Sequence, residues 1–361
     1  MKIAFFASYA ALEYSRIGGT ESFARRLSSA VVDLGVDVDW VVYNAPLTSM
    51  EAVRPGFRVL YVKTLSEALR LLSSGYRHVT ALYVEALDRT KWAFFRYTNR
   101  LHIKFHFVYF NWPDSWLKRK AYFYEARISP YNGKLICISK RQYDYVGKHN
   151  KNVVHILPPV PEDYFLPPAN KLMGERIRLT FLGRIDAGKG IDEAIRIFEA
   201  LRDSPKYECC IYGIRCERES QSRVIHEQLA KQRMIKYVAV DRNRYSLETE
   251  QFVRDVLADT DVFIQPYQRL SSTIDTPLLL LESMASLCAV LTKPYGNIPD
   301  IYGESDFLLS PVNFVQSAVG LLQNTLVENI QREHLRVFAQ IQKYSFNSSV
   351  VAKQYLAAIN L

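Results

Sequence analysis

The chain has 361 residues, of which 48% are hydrophobic and 23% charged, and it carries a net charge of +9. These are the proportions of a folded globular protein long enough for two domains, which excludes a disordered or collagen-like chain. No apolar run reaches the roughly 18 residues that a bilayer span needs, so a transmembrane bundle is not expected.

The run from Ile3 to Leu12 is apolar and follows Met1 and Lys2. It leads into Gly18-Gly19 and an amphipathic helix, so it reads as a first strand, Ile3–Ala7, rather than a signal peptide. The helix sets Phe23, Leu27, Ala30, Val31 and Leu34 on one face and stops at Gly35. Further strands are expected at Val38–Tyr43, Arg58–Val62, Val79–Tyr83, Lys104–Phe110 and Leu135–Ile138. Five prolines between Leu157 and Pro168 predict an extended, stiff connector. The alternation then restarts with a strand at Ile177–Leu182 and a helix carrying Ala194, Ile195, Ile197, Phe198 and Leu201. Strands follow at Glu208–Tyr212, Tyr237–Val240, Val262–Gln265 and Cys288–Thr292, and Ser345 to Leu361 reads as helical. This pattern predicts an α/β chain with two successive doubly wound, Rossmann-like units, residues 1–165 and 166–344, and a final helical segment, 345–361. A cleft is expected between two such sheets, with ligand beyond the carboxyl ends of the strands.

Residues 1–165 hold 23 Lys and Arg against 14 Asp and Glu, whereas the remainder holds 23 of each. All the excess positive charge therefore lies in the first unit, as an anion-facing surface or as a solvated basic face. The five cysteines form no C-x-x-C pair, and Cys209-Cys210 sit inside a strand. That argues against a zinc site or a disulfide framework and for a reducing, cytoplasmic setting.

Three features suit a bound diphosphate. Gly18-Gly19 precedes a helix, where glycine allows close backbone approach and free N–H groups attract an anion; the alternative is a plain turn. Gly183-Arg184-Ile185-Asp186-Ala187-Gly188-Lys189-Gly190 follows a strand directly. Its Arg184 and Lys189 could neutralise a diphosphate, or could simply be an exposed basic loop. It is not a P-loop, because the glycine spacing and the Ser or Thr after the lysine are missing. In Asp275-Thr276-Pro277-Leu278-Leu279-Leu280-Leu281-Glu282, Thr276 suits an N-cap and Pro277 the first helical position. Glu282 lies on an apolar helix and needs a partner, a protein donor or a ligand hydroxyl.

Together, Gly18-Gly19, the Gly-Arg…Lys-Gly loop, Thr276-Pro277-Leu278 through Glu282-Ser283-Met284-Ala285, and Asn297-Ile298-Pro299-Asp300-Ile301 resemble a known family. It is the retaining glycosyltransferase family 4 of glycogen- and sucrose-synthase-like enzymes, which has the GT-B fold. The resemblance covers nearly the whole chain and is more specific in its second half. It implies two Rossmann-like domains, with the donor sugar nucleotide mostly on the second and the last helix crossing back onto the first. Arg184 and Lys189 would then bind the diphosphate of a UDP- or GDP-sugar. Glu282 would accept from the ribose hydroxyls. Amides around Thr276, Pro277, Leu278, Leu279, Gly183 and Gly18-Gly19 would hold phosphate or sugar oxygens. No metal would be needed, since cations and helix ends stand in for Mg²⁺. Asp37-Val38-Asp39 lies in a strand and is not read as a metal-binding Asp-x-Asp.

The chain also departs from the family. The glutamate expected eight positions before Glu282 is replaced by Ile274, with Asp275 beside it as a one-residue substitute in sugar recognition. The family's Pro-Asn-Gly is Pro158-Pro159. The N-domain histidine is matched by Asn111, with His106 nearby but within the strand. Trp112, Trp116, Lys118, Arg119, Lys120, Tyr122, Phe123, Tyr124 and Arg127 mix aromatics with cations, which suits a membrane headgroup region or an acceptor cleft. No nucleic-acid motif accompanies the charge. The expected activity is hexosyl transfer to a glycan or lipid-linked acceptor at the cytoplasmic face. The rivals are a non-catalytic binding or assembly subunit and a sugar-nucleotide epimerase. A nicotinamide oxidoreductase is disfavoured, since no G-x-G-x-x-G follows the first strand.

Overall fold

The structure, a computed structural model, describes residues 2–82, 103–113, 115–120, 133–214, 220–231, 235–240, 244–269 and 273–360. It divides into two compact units. The first comprises Met1–Pro159, Ile274–Thr276 and Phe346–Leu361; the second comprises Val160–Thr273 and Pro277–Ser345.

The first unit runs β1 (Lys2–Ser8), α1 (Gly19–Asp33), β2 (Asp37–Tyr43), β3 (Ser49–Arg54), β4 (Phe57–Tyr61), α2 (Leu65–Gly75), β5 (His78–Leu82), β6 (Lys104–Tyr109), β7 (Leu135–Cys137), α3 (Lys140–Gly147) and β8 (Val153–His155). The strands form an eight-stranded sheet in the order β3-β4-β2-β1-β5-β6-β7-β8, parallel except for the β3/β4 pair. Ile3 to Ala7 are buried on both faces, as a central parallel strand requires. Phe23, Leu27, Ala30 and Val31 of α1 are buried, whereas Leu34 stands at the exposed C-cap. Thr64 and Glu67 close α2 with a reciprocal capping box. Asp39 is fully buried and spends its carboxylate on Arg58 (2.9 and 2.7 Å), Lys2 (2.7 Å) and the Tyr76 hydroxyl. The structure thus gives this aspartate an ion-pair network, with two cations where a metal ligand set would need anions.

The second unit contains β9 (Ile177–Arg184), α4 (Ile191–Leu201), β10 (Tyr207–Ile214), α5 (Ser220–Lys231), β11 (Lys236–Val240), α6 (Leu247–Ala258), β12 (Val262–Gln265), α7 (Leu278–Ala285), β13 (Ala289–Thr292), α8 (Ile298–Tyr302), α9 (Phe314–Asn324) and α10 (Val327–Ile341). Its sheet is parallel throughout, in the order β11-β10-β9-β12-β13. The chain winds outward from β9 to β10 and β11, then returns to the other side of β9 with β12. The β9/β12 boundary is therefore the topological switch point, where such sheets bind ligand beyond their carboxyl ends.

The proline-rich connector departs from the extended segment expected. Its second half forms 3-10 turns at Glu162–Tyr164 and Pro168–Asn170 and packs on the second unit. Tyr164 is buried and its hydroxyl donates to the Glu250 carbonyl at 3.1 Å, while the Leu166 N–H donates to Ala285 at 3.0 Å. The final helix α11 (Ser348–Ala358) belongs to the first unit, where the Tyr355 hydroxyl meets Thr80 at 2.6 Å. Cys137, Cys209, Cys210 and Cys288 are free and buried; Cys216 lies outside the described residues. No described helix is long and apolar enough to cross a membrane.

Candidate active site

The Arg184–Gly190 loop leaves β9 at the switch point. The Asp186 carboxylate accepts from the Lys189 backbone N–H at 3.0 Å and pairs with the Arg184 guanidinium at 3.2 Å, so one acidic side chain shapes the loop and holds its arginine. Gly190 has φ +78°, and a Cβ there would drive into the Pro266 carbonyl oxygen, so glycine is required on two counts. The Gln268 N–H donates to the Gly188 carbonyl at 3.0 Å, tying the loop to the segment that leaves β12. Lys189 is partly buried, with its ammonium 4.7 Å from the centre of the Tyr267 ring. Burial first, and the Arg184 charge second, push its pKa down to about 7 against the pull of Asp186. A lysine so poised gains most from an incoming anion, which would restore its proton.

On the β12 side of the switch point stands the start of α7. Here the structure corrects the expected cap. Pro277, not Thr276, occupies the N-cap position, and no side chain caps the helix. The Thr276 hydroxyl donates instead to the Ile138 carbonyl at 2.6 Å, because residues 274–276 are threaded through the first unit. The Leu280 N–H turns back to the Pro277 carbonyl at 3.1 Å. The N–H groups of Leu278 and Leu279 find no partner among the described residues, which leaves two donors at the positive end of the helix. Glu282, 4% exposed, lies further along α7, where its charge raises the pKa of the buried Tyr267 phenol beyond what burial does alone. Arg184, Lys189 and Tyr267 thus gather beyond the carboxyl ends of β9 and β12, with Glu282 of α7 close enough to act on the Tyr267 phenol. Gly183 serves this arrangement as the penultimate residue of β9.

Asp275 has a different environment from a free sugar-reading carboxylate. Its two oxygens are both taken by the Arg141 guanidinium, with Nε to Oδ2 at 2.8 Å and Nη2 to Oδ1. Its N–H donates to the Phe110 carbonyl at 2.7 Å. Arg141 in turn lies over the Trp112 ring, 4.8 Å from its centre. Asn111 sits between Phe110 and Trp112, at the carboxyl end of β6 and partly exposed.

His106 and Gly18-Gly19 each meet partners inside the first unit. His106 is not placed to touch a sugar. It is 1% exposed, near the start of β6, and its Nδ1 accepts from the Lys134 N–H at 3.0 Å. That fixes the proton on Nε2, which donates to His78 Nδ1 at 3.2 Å across parallel rings. At Gly18-Gly19 the helix start faces a side chain of its own. The buried Glu21 carboxylate accepts from its own backbone N–H, lies 3.6 Å from Arg16, and would have to shift to admit a Cβ at Gly18. A Cβ at Gly19 would come within 3.3 Å of Ile274. Both glycines thus have close side-chain neighbours, and the Glu21 carboxylate lies beside Gly18 at the helix start. Among the described residues no His, Cys, Asp and Glu side chains cluster as a metal site. Tyr122, Phe123, Tyr124 and Arg127 lie outside the described residues.

Residues 176–324 match the model of the family described as glycosyl transferases group 1. The match falls on the second half of the chain. It covers β9 through α9, and so contains the Arg184–Gly190 loop, Glu282 and the α7 start. No curated protein matches the chain. Among solved structures, the sucrose-phosphate synthase (tll1590) of Thermosynechococcus elongatus aligns with a TM-score of 0.68 at 16% identity, covering 98% of this chain and 97% of that one. The pneumococcal O-GlcNAc transferase GtfA in complex with UDP and GlcNAc aligns at 0.68 with 11% identity, covering 100% and 98%. Anabaena Alr3699/HepE in complex with UDP aligns at 0.67 with 11% identity over the full length of both chains. The fold is therefore GT-B, with two Rossmann-like domains.

Sequence reasoning missed three partners in and around the matched segment. Tyr267, which carries Lys189 on its ring, reads in sequence as a polar aromatic after a strand. Asp186 reads as loop filler. Arg141 gave no signal at all, since its partner Asp275 is 134 residues away.

Proposed function

We propose that the protein transfers a hexosyl group from a UDP- or GDP-sugar to a hydroxyl of a glycan or lipid-linked glycan, with retention of configuration and without a metal ion. The observation that carries this reading is the pair of cations, Arg184 and Lys189, at the β9/β12 switch point, with the unpartnered N–H groups of Leu278 and Leu279 following β12. Two cations on the loop after β9 and a helix start following β12 suit a diphosphate, and the group 1 match over the same residues supports a nucleotide-sugar donor. Glu282 is the candidate acceptor for the ribose hydroxyls. That two of the similar structures hold UDP favours uridine.

In this reading the acceptor oxygen forms the new bond to the anomeric carbon on the face from which the diphosphate leaves. The bond between that carbon and the diphosphate oxygen breaks, its electron pair goes to the diphosphate, and the acceptor's proton passes to a phosphate oxygen. No protein nucleophile takes part. The protein's contribution is electrostatic, with Arg184, Lys189 and the α7 amides stabilising charge as it develops on the leaving group. Losing one such contact costs about 10²–10³ in rate by analogy with oxyanion donors. Buried thiols support a reducing, cytoplasmic setting. The exposed Trp116 and Leu117 beside Lys118, Arg119 and Lys120 support contact with the cytoplasmic face of a membrane.

A second reading draws on one observation. Arg141 already holds the Asp275 carboxylate that would stand in for the missing glutamate, which favours a binding or assembly subunit without turnover. A thermal-shift panel of UDP-, GDP- and ADP-sugars decides between them when followed by product analysis. A bound donor at 100 times its Kd adds about 2.7 kcal/mol of stability. Binding with transfer supports the transferase, binding without transfer to any acceptor extract supports the second reading, and no binding refutes both.

A further inference from the structure

The Lys189 side chain ends on an aromatic ring rather than on a carboxylate. Its ammonium lies over the face of Tyr267, 4.7 Å from the ring centre. Among the described residues no hydrogen bond and no ion pair holds this nitrogen. The side chain is half-buried, and the nitrogen still reaches solvent. Arg184 on the same loop is treated differently, since it pairs with Asp186 at 3.2 Å.

The ring itself is fixed from several sides. Tyr267 is buried, and its phenol oxygen accepts from Gln265 Nε2 at 2.9 Å, with Thr273 as a second hydrogen-bond partner. The Tyr295 ring packs against it at a tilt of 43°, with centres 5.2 Å apart, and the Tyr295 hydroxyl donates to the Arg269 carbonyl at 2.7 Å. Beneath the ring, the Gln265 carbonyl accepts from the Tyr267 N–H at 3.1 Å and from Thr292 Oγ1 at 2.8 Å, which ties the segment to β13. The lysine loop is bound to the same segment by the Gln268–Gly188 bond and by the close approach of Gly190 to Pro266. Ring and loop therefore keep their places relative to one another, and all of these groups belong to the second unit.

A neutral ring does for a lysine what a carboxylate cannot. The four-carbon stem has much rotamer freedom to lose when an anion fixes it, so holding it beforehand favours binding. A carboxylate would hold the ammonium but cancel its charge and repel an incoming diphosphate. An aromatic face attracts the ammonium through its quadrupole and carries no net charge, so the full positive charge stays available. The charged groups that act on the ammonium among the described residues are Arg184 and Asp186 of its own loop, which oppose one another.

We propose that Tyr267 is the positioning residue of Lys189, a neutral seat that holds the ammonium beyond the carboxyl ends of β9 and β12 for the diphosphate. This rests on the transferase reading and deepens it, by separating the residue that meets the anion from the one that places it.

The test measures UDP affinity by calorimetry in the full chain, for wild type, Tyr267→Phe, Tyr267→Leu, Lys189→Ala and the double variant Tyr267→Leu with Lys189→Ala. Melting curves show which variants are folded at the assay temperature. Phenylalanine keeps the ring and loses the hydroxyl; leucine loses the seat. Tyr267→Leu is expected to weaken UDP binding at least fivefold, and Tyr267→Phe to stay within twofold of wild type. Once Lys189 is alanine, the leucine change should cost less than twofold. Wild-type affinity in Tyr267→Leu, equal losses with Phe and Leu, or a leucine effect that persists in full without Lys189 overturns the proposal. If leucine prevents folding, the Lys189 ε-methylene signal of the wild type decides. It is read in ¹³C-lysine-labelled protein at pH 6, where the amine is mostly protonated, and is assigned by its absence in Lys189→Arg. The ring current of Tyr267 should place it upfield of the other lysines, and a signal among them overturns the proposal. Should wild type fail to bind UDP, the transferase reading falls, and this signal, which needs no ligand, still judges the seat.

Discussion

Arg141 and Asp275 are 134 residues apart in sequence and meet as a two-point ion pair inside the first unit. The pair, the Thr276–Ile138 bond and the Asp275–Phe110 bond lace three residues into a unit to which their sequence neighbours do not belong.

Removing one member of this pair strands the other. Arg141→Met leaves a buried carboxylate uncompensated and is expected to lower stability by about 3–5 kcal/mol, whereas Arg141→Met with Asp275→Leu recovers most of it. Urea denaturation of the two singles and the double measures the coupling.

The stacked His78–His106 pair sets an acid limit. Burial is the main cause that pushes both imidazoles down, His106 to about 3 with His78 as the second contributor. Unfolded histidines titrate near 6.5, so between pH 6.5 and 3 the unfolded chain binds more protons and stability falls as pH falls. From pH 6.5 to 4.5, His106 alone accounts for about 2 kcal/mol of that loss. His106→Phe is expected to flatten the stability–pH curve in this window, as read by denaturant midpoints. An unchanged curve would show that the pair does not set the limit.

Lys171, on the connector, donates to the carbonyls of Thr260 (2.6 Å), Ser286 (2.9 Å), Ala258 (3.1 Å) and Leu257 (3.4 Å). One ammonium thus closes the C-terminal ends of α6 and α7, where partial negative charge collects. Lys171→Met is expected to cost about 2 kcal/mol and to lower the melting temperature of the second unit. Lys171→Arg should recover part of it.

The central parallel strands were legible because their apolar runs are long and stopped by glycine or polar residues; Val262–Gln265 falls where the pattern puts it. β3 was not, since Ser49–Arg54 is an exposed antiparallel edge with no apolar face to mark it. β8, Val153–His155, is three half-buried residues just before the proline-rich connector, too short a run to be expected as a strand. At the site, the Arg184–Gly190 loop could be read because glycine and cations stand together after a strand. The α7 cap was misread by one residue. Local propensity favours Thr276 as a cap, but its hydroxyl is drawn to Ile138, a contact no local pattern contains. His106 lies within β6, where the sequence put it, and at Gly18-Gly19 the sequence left a plain turn open beside an anion site. A histidine or glycine near a site looks alike whether it faces ligand or core, and only the tertiary partners, His78, Glu21 and Ile274, separate the two.

Lys189 offers the most direct test of the account. Its ammonium is held near pKa 7 when no anion is bound, and an adjacent diphosphate should lift it well above 8. Calorimetric titration of UDP at pH 8, in two buffers of different ionisation enthalpy, therefore measures the proton that Lys189 takes up on binding. The account predicts uptake close to one proton in wild type, loss of that uptake in Lys189→Arg, and at least tenfold weaker binding in Lys189→Ala. Tight UDP binding with no proton uptake, or wild-type affinity in Lys189→Ala, would contradict it.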